Sequence, residues 1–238
     1  MVSDLNPLFD RKYECKICKQ TFTTKKLRSK FIKVASYDSD FMPNYTSEEV
    51  NPLLYHVNVC PICGFSSTDD FSPYFAPGTL EDLYAKVCNH WQPHDFGGVR
   101  TIPDAIKTYK LAIYCSQLKR EKHILQAGLC IRTAWLYRLL DKTEEEMRFM
   151  RLATKEYLTS YETDDYRGTQ VSDVRILFLI AERSYRIGEI EQCIRFLSKI
   201  MELRKSSTES GLIEKAKERW QQIREERANT GDTLEDFQ

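Results

Sequence analysis

Glycine is scarce in this chain, nine residues in 238, and none of it forms a phosphate-cradling loop. A nucleophile elbow and a paired His-Glu zincin motif are also missing. These absences remove the commonest catalytic constellations, and a non-enzyme is the expectation. The chain starts Met-Val-Ser-Asp-Leu-Asn-Pro, without a basic stretch running into an apolar one, so no secretory signal is expected and the protein is placed in the cytoplasm. The longest purely apolar run, 176–181, is six residues, against about 20 for a membrane span. Lys and Arg are absent from 34–85.

What is present is the composition of a globular protein, 42% hydrophobic and 29% charged, long enough for a small domain joined to a larger one. Charge is unevenly spread. Residues 11–33 hold nine basic side chains against Glu14 alone, a balance of +8, whereas 34–85 hold eight acidic ones and balance at −8.

Phe31, Ile32 and Val34 among polar residues, and Tyr55, Val57 and Val59 alternating with His56 and Asn58, predict two strands of one small antiparallel sheet. Between them Pro43, Asn44, Ser47 and Pro52 favour turns, which predicts a loop or insertion. The bridge FSPYFAPG, 71–78, marks a change of character to helix. The division expected is 1–77 as a zinc-ribbon-like module, 78–228 as a helical domain and 229–238 as a frayed tail.

Capping-box signatures at Thr79 with Asp82 and at Thr143 with Glu146 open two helices, and Pro103 suits the first turn of another. Further helices are predicted at roughly 121–140, 143–160, 172–187, 189–204 and 210–228, from apolar spacings of three and four. The segment around Gly188 resembles a tetratricopeptide repeat, with Ala181 on its first helix and Cys193, Leu197 and Ile200 on its second. Ala134, Glu146, Met150 and Ala153 fall similarly one unit earlier, and Ala105, Tyr109 and Ala112 earlier still. The implied units, 41 and 47 residues, exceed the regular 34, so an irregular antiparallel bundle is the competing reading. The fold class expected is therefore α+β by separate domains, a small β zinc-ribbon-like module followed by an all-α tetratricopeptide-like stack.

Two Cys-x-x-Cys pairs, Cys15 with Cys18 and Cys60 with Cys63, offer four sulfurs, the number a tetrahedral zinc ion takes. Cysteine pairs in a reducing compartment more often bind metal than form disulfides. Gly64, directly after the second pair, permits the positive φ that turns backbone N–H groups toward the sulfurs, whereas Lys19 holds the equivalent place after the first. One structural zinc is expected, and four protein ligands leave no open position for hydrolytic chemistry. The competing reading, a redox dithiol, expects a helix N-terminus inside a βαβ unit, which is lacking. Cys88, His90 and His94 form a looser second cluster short of a fourth ligand. Cys115, Cys130 and Cys193 read as buried small hydrophobes, His56 as a supporting residue and His123 as packing in the helical part. Asp38 and Asp40 beside Tyr37 could be a carboxylate pair, but at i and i+2 in a loop they read better as turn formers.

The runs FTTKKLRSKFIKV, DSDF and NPLLYHVNVCPICGF, followed by repeat-like helices, resemble a bacterial family known only as a domain of unknown function. The resemblance implies a cytoplasmic bacterial protein and supplies no activity. A cysteine often stands in that family where this chain has Met42, so a fifth cysteine is not a required ligand here.

The function expected is a non-catalytic zinc-containing scaffold or adaptor that binds a protein or peptide through its helical domain, with no membrane partner. The alternative is a nucleic-acid-binding zinc ribbon using 11–33, where Tyr13, Phe22 and Phe31 interleave with the basic residues. Against that stands local compensation of the lysines, both by the acidic block and by a zinc with four thiolates, whose net charge is about −2.

Overall fold

The structure, a computed structural model, describes residues 5–47, 50–205 and 207–230. It is α+β: three small antiparallel hairpins come first, and seven α-helices follow among the described residues. None of those helices is long and apolar enough to cross a membrane.

Strands β1 (Leu8–Glu14) and β2 (Thr21–Leu27) pair from Leu8 opposite Leu27 to Glu14 opposite Thr21. The strands expected near 31–34 and 55–59 do not pair with each other. Strand β3 (Val34–Tyr37) pairs instead with β4 (Pro43–Tyr45), inside the segment expected as a loop, and β5 (Asn58–Val59) pairs with β6 (Ser66–Ser67). Asn58 is buried together with Tyr55, Val57 and Val59, so their alternation is not that of a strand with one wet face. Pro52–Tyr55 form a 3-10 turn, with the Asn51 side chain accepting from Leu53 N–H at 3.0 Å.

Helices α1 (Thr79–Lys86), α2 (Ile102–Lys119), α3 (His123–Arg138), α4 (Thr143–Glu162), α5 (Asp173–Arg186), α6 (Ile190–Leu203) and α7 (Ser210–Thr230) lie close to the periodic segments of the sequence. Their ends differ from expectation. The cap of α1 is Gly78, and the Thr79 hydroxyl turns back to Ala76 O. The Glu146 carboxylate is taken by Arg138. The capping box forms at Thr101, whose Oγ1 accepts from Asp104 N–H while the Asp104 carboxylate accepts from Thr101 N–H. Helix α2 stops at Arg120, which adopts φ 56° and so leaves the helical path.

Packing divides the described chain into two compact units that meet between Glu156 and Tyr157. The first contains β1 to β6, α1 to α3 and α4 as far as Glu156. In the second, α5 carries the longest apolar run of the sequence and is buried nearly all round, packed by α6 and α7. Gly188 turns α5 into α6 with φ 83°. Arg183, 1% exposed, lies 4.9 Å from the Tyr157 ring, and Glu182 takes both arms of Arg219 at 2.9 and 3.0 Å. A buried charge held in this way avoids much of its desolvation cost. Of the expected tail, 231–238 lie outside the described residues, and helix continues through Thr230.

Candidate metal centre

The two Cys-x-x-Cys turns have the same build. In the β1–β2 hairpin, Cys15 N–H donates to Gln20 O at 3.0 Å and Lys19 N–H to Cys15 O at 3.0 Å. In the β5–β6 hairpin, Cys60 N–H donates to Phe65 O at 3.0 Å and Gly64 N–H to Cys60 O at 2.9 Å. The fourth residue after each leading cysteine is left-handed, Lys19 at φ 61° and Gly64 at φ 74°. That twist brings backbone N–H groups of Ile17 and Cys18 to the Cys15 sulfur, and of Ile62 and Cys63 to the Cys60 sulfur. The sequence pointed to this geometry at Gly64, and Lys19 adopts it without glycine's help.

The four cysteines come together across the knuckles. Cys15 Sγ lies 3.5 Å from Cys63 Sγ and Cys18 Sγ 3.6 Å from Cys60 Sγ, and all four sulfurs lie within 4.8 Å of one another. Cys15, Cys60 and Cys63 are buried and Cys18 is half-buried. The set can hold a metal ion. Sulfurs bound tetrahedrally at about 2.3 Å stand roughly 3.8 Å apart, close to the spacing here. The electrostatics of the cluster suit a cation. The hydrogen bond shared by Cys15 and Cys63 lowers the Cys15 thiol and raises that of Cys63, and burial raises Cys60. One thiolate is thus stabilised at the expense of its neighbours, and a dication would allow all four.

Several groups outside the knuckles fix them. Trp91 Nε1 donates to Pro61 O at 2.9 Å, and its ring lies so close to Gly64 that a Cβ there would stand 2.4 Å from it. Ser66 N–H donates to the Cys115 sulfur at 3.4 Å. Arg100, 4% exposed, donates to Phe96 O, Leu54 O and Val57 O at 2.7, 3.1 and 2.7 Å and to the Thr24 hydroxyl at 3.1 Å. It thereby ties β2, the 3-10 turn and the approach to α2 at one point. Lys119, buried beside Glu121 at 2.6 Å, donates to Tyr74 O, while Glu121 accepts from Ser72 N–H. Sequence reasoning missed Arg100, Lys119 and Trp91, because no local pattern marks a basic or aromatic side chain whose partners are distant carbonyls.

Elsewhere the predicted residues take other roles. Among the described residues the four cysteines are the only group of three or more His, Cys, Asp or Glu placed to share an ion, so Cys88, His90 and His94 do not gather as a second site. His94 stands edge-on to Phe96 at 4.4 Å. His56 stacks on Tyr109 at 6.0 Å, and burial pushes its imidazole down to about 3. His123 pairs with Glu156 at 2.6 Å. Cys115, Cys130 and Cys193 are buried, with thiols pushed up to about 12 by burial. Asp38 and Asp40 meet Arg138, at 2.9 and 2.7 Å, and Trp135 Nε1 donates to Asp40 at 3.0 Å. Asp40 is fully buried and Met42 packs on the same guanidinium, which makes this pair an anchor of β3–β4 on α3.

A groove of about 580 Å³ opens on α2, lined by Trp91, Phe96, Leu111 and Tyr114 together with His90, His94, Lys107 and Lys110. It combines apolar rings with positive charge, and no sequence motif announced it.

Residues 8–223 match the family described as an uncharacterized protein conserved in bacteria (DUF2225), and the chain belongs to it. No curated protein and no solved structure matches the chain.

Proposed function

We propose that this family member is a non-catalytic, zinc-containing adaptor whose helical part receives a protein or peptide segment in a reducing cytoplasm. Zinc is favoured by a donor set of four thiols, a closed tetrahedral spacing and buried surroundings. All four positions are filled by protein, so Cys15, Cys18, Cys60 and Cys63 would serve structure rather than reaction.

The observation that carries the binding role is the groove on α2. Its rings would receive an aromatic or aliphatic side chain, and Lys107 and Lys110 favour acidic residues beside it. A tetratricopeptide-like reading of the helices is supported by full burial of Ala105, Tyr109, Ala112, Ala134, Met150, Ala153, Ala181, Cys193, Leu197 and Ile200, the close-packing positions of such units. A displayed peptide library panned on the metal-loaded protein tests the role. Enrichment of acidic peptides with one apolar anchor, lost in Tyr114→Ala and Lys107→Glu, is expected. A library that yields no enriched motif removes the proposal.

A further inference from the structure

A second recess lies away from the groove, against the β1–β2 hairpin, and encloses about 290 Å³. Three rings line it, Tyr13, Phe22 and Phe65, with Tyr13 and Phe22 facing each other across the strands at 6.0 Å and 24°. Its charged lining is Arg11, Glu14, Lys16 and Asp69, two of each sign. A balanced lining selects neither a net anion nor a net cation. It suits a neutral, flat ligand with hydrogen-bond donors and acceptors around its edge.

Asp69 is held in place for this. Its Oδ1 accepts from Asn58 Nδ2 at 3.2 Å and its Oδ2 from Arg11 at 3.2 Å and Tyr13 at 3.5 Å. The carboxylate keeps acceptor capacity toward amino and imino groups, and Arg11 supplies donors toward ring nitrogens and carbonyl oxygens, while Lys16 donates to Phe71 O and Ser72 O at 3.0 and 3.4 Å.

The surroundings add phosphate affinity outside the recess. Of the nine basic residues in 11–33, Arg11 alone forms an ion pair with the acidic block 34–85 among the described residues, at Asp69, and Lys25 pairs with Asp10. Three of that block's acids pair elsewhere, Asp38 and Asp40 with Arg138 and Asp82 with Lys86. Lys16 and Lys26 donate instead to carbonyls of that segment, Phe71 O at 3.0 Å and Tyr55 O at 2.7 Å, so direct charge pairing with the acidic block engages one of the nine among the described residues. Arg11 lies 4.9 Å from the Tyr13 ring, Arg28 5.0 Å from Phe9 and Lys30 5.0 Å from Phe31, so cations and rings alternate along this face.

We propose that the recess binds one nucleobase, stacked on Tyr13 and edge-bonded to Asp69, with the attached phosphate on the neighbouring lysines and arginines. The base comes either from a free nucleotide or from an unpaired position in a single-stranded nucleic acid, and the chemistry in the recess is the same. The site is independent of the groove on α2, and its success or failure leaves the adaptor reading untouched.

The test titrates metal-loaded full-length protein with AMP, GMP, CMP and UMP by calorimetry, and with a fluorescent single-stranded RNA by anisotropy at two salt concentrations. Saturable binding of one base per chain is expected in at least one arm. Tighter binding of RNA than of any mononucleotide assigns the source to a polymer, and equal binding to a free nucleotide. Tyr13→Leu keeps an apolar filler but removes the ring, and it should weaken binding about tenfold or more with metal content unchanged. Asp69→Ala should weaken it while retaining the salt dependence. Absence of saturable binding in both arms overturns the proposal. So does RNA binding that varies with salt yet is the same in Tyr13→Leu, because phosphate contacts alone would then explain it.

Discussion

Lys19 and Gly64 occupy the same place in the two knuckles, each left-handed, at φ 61° and 74°, and each donating its N–H to the leading cysteine's carbonyl. Glycine accepts that conformation without strain and lysine does not. Replacing Lys19 by Gly should therefore stabilise the metal-loaded protein by about 0.5 kcal/mol, strain relief outweighing the added freedom of the unfolded chain. Gly64→Ala should cost about 3 kcal/mol, through the same φ and through collision with the Trp91 ring. Urea denaturation of both variants provides the comparison, and a destabilising Lys19→Gly would contradict the reading of strain.

Metal content gives a second prediction. Elemental analysis should find one zinc per chain, and Cys60→Ser should lower the occupancy. Chelation should loosen β1–β2 and β5–β6, because a small β segment gains on the order of 10 kcal/mol from a structural zinc. Trp91 sits on the second knuckle, so its fluorescence should shift on chelation, and Trp91→Phe should abolish most of that shift. A folded protein purified metal-free would refute the assignment.

Arg138 is the hub of a third. Removing it strands the fully buried Asp40 without its counter-ion, at a cost of about 3–5 kcal/mol for Arg138→Met. Much of the loss should return in the Arg138→Met, Asp40→Asn double variant, since an amide needs no counter-charge. If denaturation midpoints show the two substitutions to be additive, the ion pair is not the source of the coupling.

How much of this was legible in the sequence depends on the range of the forces involved. The helices follow local apolar periodicity, and all seven lie near their expected positions. The four cysteines were legible because metal–thiolate chemistry restricts both ligand type and spacing. The pairing of β3 with β4 was not, because Pro43 and Asn44 carry the composition of a turn while their strand is fixed by Asp38 and Asp40 on a distant guanidinium. Arg100 was illegible for the same reason, since its acceptors, apart from Phe96 O, are two carbonyls and a hydroxyl more than forty residues earlier in the chain.

His56 supplies a prediction in pH. Its imidazole protonates at about 3 in the folded protein, with burial the largest cause and Arg132 and Lys26 acting in the same direction. In the unfolded chain it protonates near 6.5. Between those values only the unfolded state holds the extra proton, so this group lowers stability as pH falls from about 6.5 toward 3. The stability of His56→Gln relative to the parent should therefore rise on acidification, by at most about 1.4 kcal/mol per pH unit. Denaturation in parallel buffers tests this, and a pH-independent difference would show that the folded imidazole titrates normally.

The position of Arg100 bears on how such a protein can be rearranged by gene fusion. The carbonyls of Leu54 and Val57 and the hydroxyl of Thr24 belong to the knuckle-bearing segment, but the guanidinium that donates to them lies just before α2. A shortened gene ending at residue 77 would keep every sulfur and lose that guanidinium along with the Trp91 indole. The hairpins are thus no portable cassette: moved to another protein, they would have to take the stretch through Arg100 with them.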